Sequence, residues 1–190
     1  MHNNLKYATT VNKISRGRKK HEPLAEEAMK SNKIAFLDTC YLISLANSAY
    51  SIKESISRLK ERKGAELMVT SQVMDELERI CSGKRSENGV HVLERRKLEE
   101  IKAEFGSGML SIETVDNIDD RDRAEAKEAL ARNSEKNNSR VGEGELSIWV
   151  AVKSLQSLFN CIVLSMDSDV KALFGHEKAK SLAEQVFVEA

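Results

Sequence analysis

The chain has 190 residues, 41% of them hydrophobic and 32% charged, with Lys+Arg and Asp+Glu both at 30. That length suits one domain with a real core, and the balanced charge argues against a protein that binds a polyanion by bulk charge alone. Three isolated cysteines with no CxxC or Cys/His cluster argue against a disulfide scaffold or a zinc site. No apolar run approaches the roughly 18 residues of a membrane helix and the N-terminus lacks a signal-peptide core, so a soluble, cytoplasmic protein is expected.

The charge is unevenly spread. Residues 1–33 carry eight Lys/Arg against three Asp/Glu, a net of +5, which leaves −5 for the remainder. Residues 1–32 therefore read as a basic arm able to touch nucleic acid, with Pro23 opening a short helix from Leu24 to Met29. Residues 33–190 read as the folded domain. Ile34–Leu37 is a short apolar run of the kind found in buried parallel strands. From Tyr41 to Leu59 the pattern is helical, with Leu42, Leu45, Ala49, Ile52, Ile56 and Leu59 at three- and four-residue steps. Leu67–Thr70 is a second strand, and Ser71 is placed to cap a helix running to Ile80.

A loop at 82–89 then leads into a charged helix reaching 108. Met109–Val115 alternates partly and is a third strand. Asp116–Arg140 is polar and Asn-rich, a mobile helix-and-loop excursion, so that 82–140 forms an enlarged polar, helical segment. Gly142-Glu143-Gly144 starts the most apolar helix, Glu145–Phe159. A strand at 161–166, a helix near Val170–Leu173, a helix at 177–184 and a last strand, Val186–Val188, complete the chain. Strands separated by helices predict an α/β fold, a three-layer α/β/α arrangement around a mostly parallel sheet with a polar helical insertion.

Four acids stand where acids are costly. Asp38 closes the run Ile34–Leu37, and Asp167 closes Cys161–Met166. In open α/β sheets, ligands bind beyond the carboxyl ends of the strands, so both point to one crevice if their strands are neighbours. At about 100° per residue, Glu76 borders the apolar face Val73, Leu77, Ile80, whereas Asp75 and Glu78 point away from it. Glu145 falls within the stripe Ile148, Trp149, Val152, Leu155, Phe159, and Glu143 falls opposite. Converging carboxylates repel one another, and burial raises the cost of ionising them. A hard divalent cation with oxygen ligands is the usual compensation. Each acid also has a plainer role open to it: Asp38 and Asp167 as strand-exit or helix-cap residues, Glu145 as an N-terminal dipole partner. Asp169 is a fifth ligand, a supporting acid or a cap. Thr39, Ser71 and Ser165 are placed to orient ligands or a water by hydrogen bonds. Trp149 reads as core packing.

The segments IAFLDTCYLISLA, VTSQVMDEL, GEGELSIWVAV and CIVLSMDSDVKAL, in that order, resemble the PIN-domain nucleases over roughly residues 33–190. The matches are Asp38-Thr39 at a strand end, Glu76-Leu77 on the following helix, Gly142 to Glu145 at a helix start, and Asp167 with Asp169 after a hydrophobic strand. The resemblance implies a PIN-like ribonuclease in which Asp38, Glu76, Glu145 and Asp167 are catalytic. Asp38, Glu145, Asp167 and Asp169 would ligate Mg²⁺ or Mn²⁺, and the substrate would be RNA. It also implies a toxin with an antitoxin-like protein partner or an RNA-processing enzyme, and a homodimer. The long 82–140 stretch and the arm depart from compact members.

An anionic substrate needs cations. Arg16, Arg18, Lys19, Lys20, Lys84 and Arg85 are the candidates, with Lys13, Arg95, Arg96 and Lys97 beside them. Two other readings remain open. A catalytically silent RNA- or protein-binding module would keep the fold. A Mg-dependent α/β phosphatase would want a second Asp two residues after Asp38, where this chain has Cys40, and a receiver-like domain would want paired acids and a lysine that are not evident.

Overall fold

The computed structural model describes residues 33–82, 93–133 and 140–174, and the backbone of 186–187. The basic arm with its helix at 24–29, the cations Lys13, Arg16, Arg18, Lys19, Lys20, Lys84 and Arg85, and the helix at 177–184 lie outside the described residues. In chain order the elements are β1 (Lys33–Leu37), α1 (Thr39–Ala46), α2 (Ile52–Lys63), β2 (Glu66–Thr70), α3 (Ser71–Cys81) and α4 (Arg95–Gly106). They continue with β3 (Ser111–Glu113), α5 (Asp120–Asn133), α6 (Glu143–Leu155), β4 (Asn160–Leu164), α7 (Ser168–Phe174) and β5 (Val186–Phe187). The strands form one sheet in the order β3-β2-β1-β4-β5, and every neighbouring pair is parallel. The predicted α/β class with a parallel sheet is observed.

The central strands explain the apolar runs. In β1, β2 and β4 all four residues after the first are buried. Successive side chains leave a strand on opposite faces, so both faces of these strands are covered, which an alternating sequence could not satisfy. β1 and β4 pair along their full length, Lys33 with Asn160 through Leu37 with Leu164. Phe36, Leu37, Leu67, Ile148, Leu164 and Phe174 are among the largest fully buried side chains. Among the described residues no helix is long and apolar enough to cross a membrane.

Four expectations change at their edges. The helix over 41–59 is two helices: Ser51 caps α2, its Oγ accepting the Glu54 N–H at 3.2 Å. The cap of α3 is Thr70, not Ser71; its Oγ1 accepts the Val73 N–H at 3.4 Å. The third strand shrinks to Ser111–Glu113, and the apolar helix runs from Glu143 to Leu155 rather than from 145 to 159.

The larger correction concerns 116–140. Residues 120–133 form a 14-residue helix, α5, that packs on α6 and α7. Its buried stripe is only Ala126, Ala129 and Leu130, so apolar area alone gives it little grip. Ion pairs across the helices add to it. Arg123 Nη1 reaches Glu143 Oε1 at 2.6 Å, and Lys153 Nζ reaches Asp122 at 2.8 Å and Glu125 at 2.7 Å. What the sequence presents as an excursion is, over this span, a docked helix.

Candidate functional site

The strand order reverses direction at β1. The chain first builds outward through β2 and β3, then returns to the other side of β1 as β4. Such a switch point leaves a crevice beyond the carboxyl ends of the two central strands, where α/β folds bind ligands. Asp38 follows β1 directly and is 5% exposed. Its N–H donates to Leu164 O at 3.0 Å, continuing the ladder by one rung. Asp167 is not at a strand end, as the sequence suggests. β4 stops at Leu164, and Asp167 lies three residues on, just before α7. There Asp167 Oδ1 accepts the Asp169 N–H at 2.7 Å, the geometry of a helix cap.

A chain of hydrogen bonds ties the two aspartates together. Asp38 Oδ2 accepts from Ser165 Oγ at 2.7 Å and from the Cys40 thiol at 3.1 Å. Ser165 Oγ in turn accepts the Asp167 N–H at 3.0 Å, and Cys40 Sγ accepts the Met166 N–H at 3.2 Å. Ser165 is fully buried, so its hydroxyl has no water to fall back on and its role is fixed by these partners. The loop 165–167 is thereby held against the end of β1.

The two glutamates arrive on α3 and α6. Glu76 Oε2 accepts the Thr39 hydroxyl at 2.9 Å. A β-carbon on Gly144 would sit 2.8 Å from that same Oε2 and 3.5 Å from Val73 Cγ2. Glycine at 144 is therefore what lets the Glu76 carboxylate lie against the first turn of α6. Glu145 folds back to accept the Gly142 N–H, and a β-carbon at 142 would be 2.7 Å from its Oε2. The two glycines of Gly-x-Gly-Glu thus make room for one carboxylate each. Behind them, Thr70 and Ser147 share a buried hydroxyl–hydroxyl bond of 2.6 Å, and Ser147 Oγ donates to Gly144 O at 2.6 Å. This pins the start of α6 to the end of β2.

Burial pushes Glu145 up to about 8. The Gly142 N–H pulls it partly back, and the charges of Asp38, Asp167 and Glu76 push it further up. Asp38 is likewise raised, by burial first; the hydrogen bonds from Ser165, Cys40 and the Thr39 backbone oppose this, and the Glu76 charge adds to it. Burial and the neighbouring Asp38 charge drive the Cys40 thiol up to about 12, so it stays protonated and serves as a donor. The charges of the other three predicted carboxylates therefore all bear on Glu145.

Their oxygens are not closed on a point. Among the described residues, no three His, Cys, Asp or Glu side chains stand together as a ready metal cage. Asp38, Glu76, Glu145 and Asp167 each give an oxygen to a protein donor instead. The donor set still suits a hard cation: all oxygen, all anionic when ionised, and raised in pKa where it is most buried. Asp38, Glu145 and Asp167 would hold such an ion, with Glu76 and Asp169 beside them.

Glu143 is exposed and paired with Arg123, and Glu78 pairs with Lys102 at 2.7 Å, both pointing away from the site as their helical angles predict. Arg95, Arg96 and Lys97 form ion pairs with Glu99 and Glu100 on their own helix. Thr39 and Ser165 make the orienting bonds anticipated for them, whereas Ser71 bonds to Gln72 instead. Cys40, Thr70 and Ser147 were not singled out as site residues; Cys40 directly follows the Asp-Thr pair, which is the signal that could have found it. Trp149 is core, its ring 5.6 Å from that of Phe174. Comparisons with family models, with curated proteins and with solved structures give no match.

Proposed function

We propose that this chain is a metal-dependent endoribonuclease with a PIN-like, three-layer α/β/α domain, hydrolysing RNA phosphodiester bonds. The observation that supports the reading is that the charges of Asp38, Asp167 and Glu76 all bear on the buried Glu145. The four acids come from four separate segments and meet at the switch point of a parallel sheet. Bound Mg²⁺ or Mn²⁺ would supply Lewis-acid activation of water and offset charge on the phosphate.

The chain's own residues do the positioning. Asp38, clamped by Ser165 and Cys40, is the most rigid of the four and sets the reference point. Glu145 and Asp167 complete the direct donors, and Asp169 stands behind Asp167 through its N–H. The Thr39 hydroxyl holds one oxygen of Glu76, and Glu76 would help to orient an attacking water.

The test is Mn²⁺-dependent cleavage of a pool of structured and unstructured RNAs, alongside Mn²⁺ calorimetry. Wild type should cut and release or absorb heat on Mn²⁺ addition. Asp38→Asn should lose at least about 100-fold in cleavage, the upper end of what disturbing a metal's ligand shell costs. No heat and no cleavage by wild type would sink the proposal. A silent binding module is the second reading, favoured by the protein donor that each carboxylate already has. Equal RNA binding by both proteins with cleavage by neither would select it.

A further inference from the structure

Carboxylates repel a phosphodiester, so a fixed positive group at the crevice wall, besides any bound cation, would help to hold a substrate strand. The crevice beside Glu145 has a floor of Leu130, Val141 and Leu173 and a rim of Arg140, Glu145 and Asp169. Its floor is firm: Leu130 and Leu173 are buried, and Val141 packs against the core. It is too shallow to enclose a small molecule, which suits a polymer lying across it better than a free nucleotide.

Arg140 differs from the arginines nearby. Arg121 pairs with Glu125, Arg123 with Glu143 and Arg132 with Glu128. Arg140 is exposed and shares the rim with two acids, yet makes no ion pair among the described residues. The guanidinium is a planar fork of donors, shaped to take two phosphate oxygens at once.

We propose that Arg140 is the residue that grips a backbone phosphate of the RNA strand and lays it against the carboxylates. The inference rests on the ribonuclease reading, and deepens it by naming a substrate contact. Arg140 is two residues from Gly142, whose N–H bonds to Glu145, so the grip stays beside that carboxylate. A lysine there would keep the charge and lose the fork.

The experiment measures binding of a single-stranded RNA oligonucleotide over a salt series, with Ca²⁺ replacing Mn²⁺ to prevent cutting, and cleavage kinetics with Mn²⁺. The proteins are wild type, Arg140→Ala, Arg140→Lys and Lys53→Ala, the last an exposed cation on α2. Arg140→Ala should weaken binding about tenfold and lower the salt slope by about 0.7, the loss of one single-strand phosphate contact. KM should rise more than kcat falls. Arg140→Lys should recover only part of the affinity, and Lys53→Ala should match wild type. Equal effects of Arg140→Ala and Lys53→Ala, or none from either, would overturn the assignment. If wild type cuts RNA while Arg140→Ala binds normally, only this inference fails; if wild type never cuts, the hydrolytic reading fails and the binding comparison still decides Arg140.

Discussion

Two acidic regions of this molecule are built from the same residue types and behave in opposite ways. On the outer face of α5 and α6, Asp122, Glu125, Glu128 and Glu143 each pair with a cation. Glu125 bonds to Lys153 and Arg121, and these partners hold it below the usual carboxylate range. At the carboxyl edge of β1 and β4, carboxylates meet carboxylates, and burial with mutual repulsion holds Glu145 and Asp38 above it. The outer face is electrostatically complete. In the inner cluster the carboxylates take hydrogen bonds from hydroxyl, thiol and backbone donors instead. Clustering of acids alone means little; the contrast in partners is what marks one region as poised for something external.

Gly144→Ala should break the comparison most sharply. The new methyl lands on the far end of the flexible Glu76 side chain, so the fold can yield cheaply, and the helix even gains up to about 1 kcal/mol from alanine. The carboxylate, however, must move. Mn²⁺ affinity and cleavage should fall about 10- to 100-fold while the urea midpoint holds or rises. Loss of stability in step with activity would show that Gly144 is merely structural.

Glu145→Gln should affect stability through pH. The folded state keeps the Glu145 proton up to about 8, whereas an ordinary glutamate gives it up near 4.5. Below that lower value both states are protonated and no penalty applies. Between the two values the unfolded chain releases a proton that the native state retains, so metal-free wild type loses stability as pH rises. The amide cannot ionise. At pH 8 the variant should be more stable by about 1–3 kcal/mol, and its unfolding curve should be flatter across this window. Superimposable profiles for the two proteins would remove burial of Glu145 as the cause. Added Mn²⁺ should flatten the wild-type curve in the same way.

Lys153→Ala should be the mildest. It removes two contacts on a partly exposed face, and such pairs contribute about 1 kcal/mol or less. Chemical denaturation should register that loss while Mn²⁺ binding stays unchanged. A large effect on metal binding would mean that α5 and the cluster are coupled, against the division drawn above.

Much of this arrangement was readable from residues alone. Continuous apolar runs found β1, β2 and β4, because strands covered on both faces show no alternation. Helical angle placed Glu76 and Glu145 inward and sent Glu78 and Glu143 outward. The break at Ser51 was legible as well, since Ser51-Ile52-Lys53-Glu54 has the spacing of a helix-capping box, but the apolar period ran through it. The docking of α5 was not legible: two alanines and a leucine make a faint stripe, and its ion pairs reach across to α6. The sequence puts Asp167 directly at a strand end because Met166 extends the apolar run, yet Met166 is 45% exposed and the pairing ends at Leu164. The part Cys40 plays was not legible, because a thiol's hydrogen bonds leave no sequence pattern.

The bond between Ser165 and Asp38 spans 127 positions. During synthesis, β1 and α3 emerge long before β4 can slide in beside β1. A growing chain thus carries Asp38 and Glu76 well before Gly144, Glu145 and Ser165 arrive, so the four-acid cluster assembles only once most of the chain has left the ribosome.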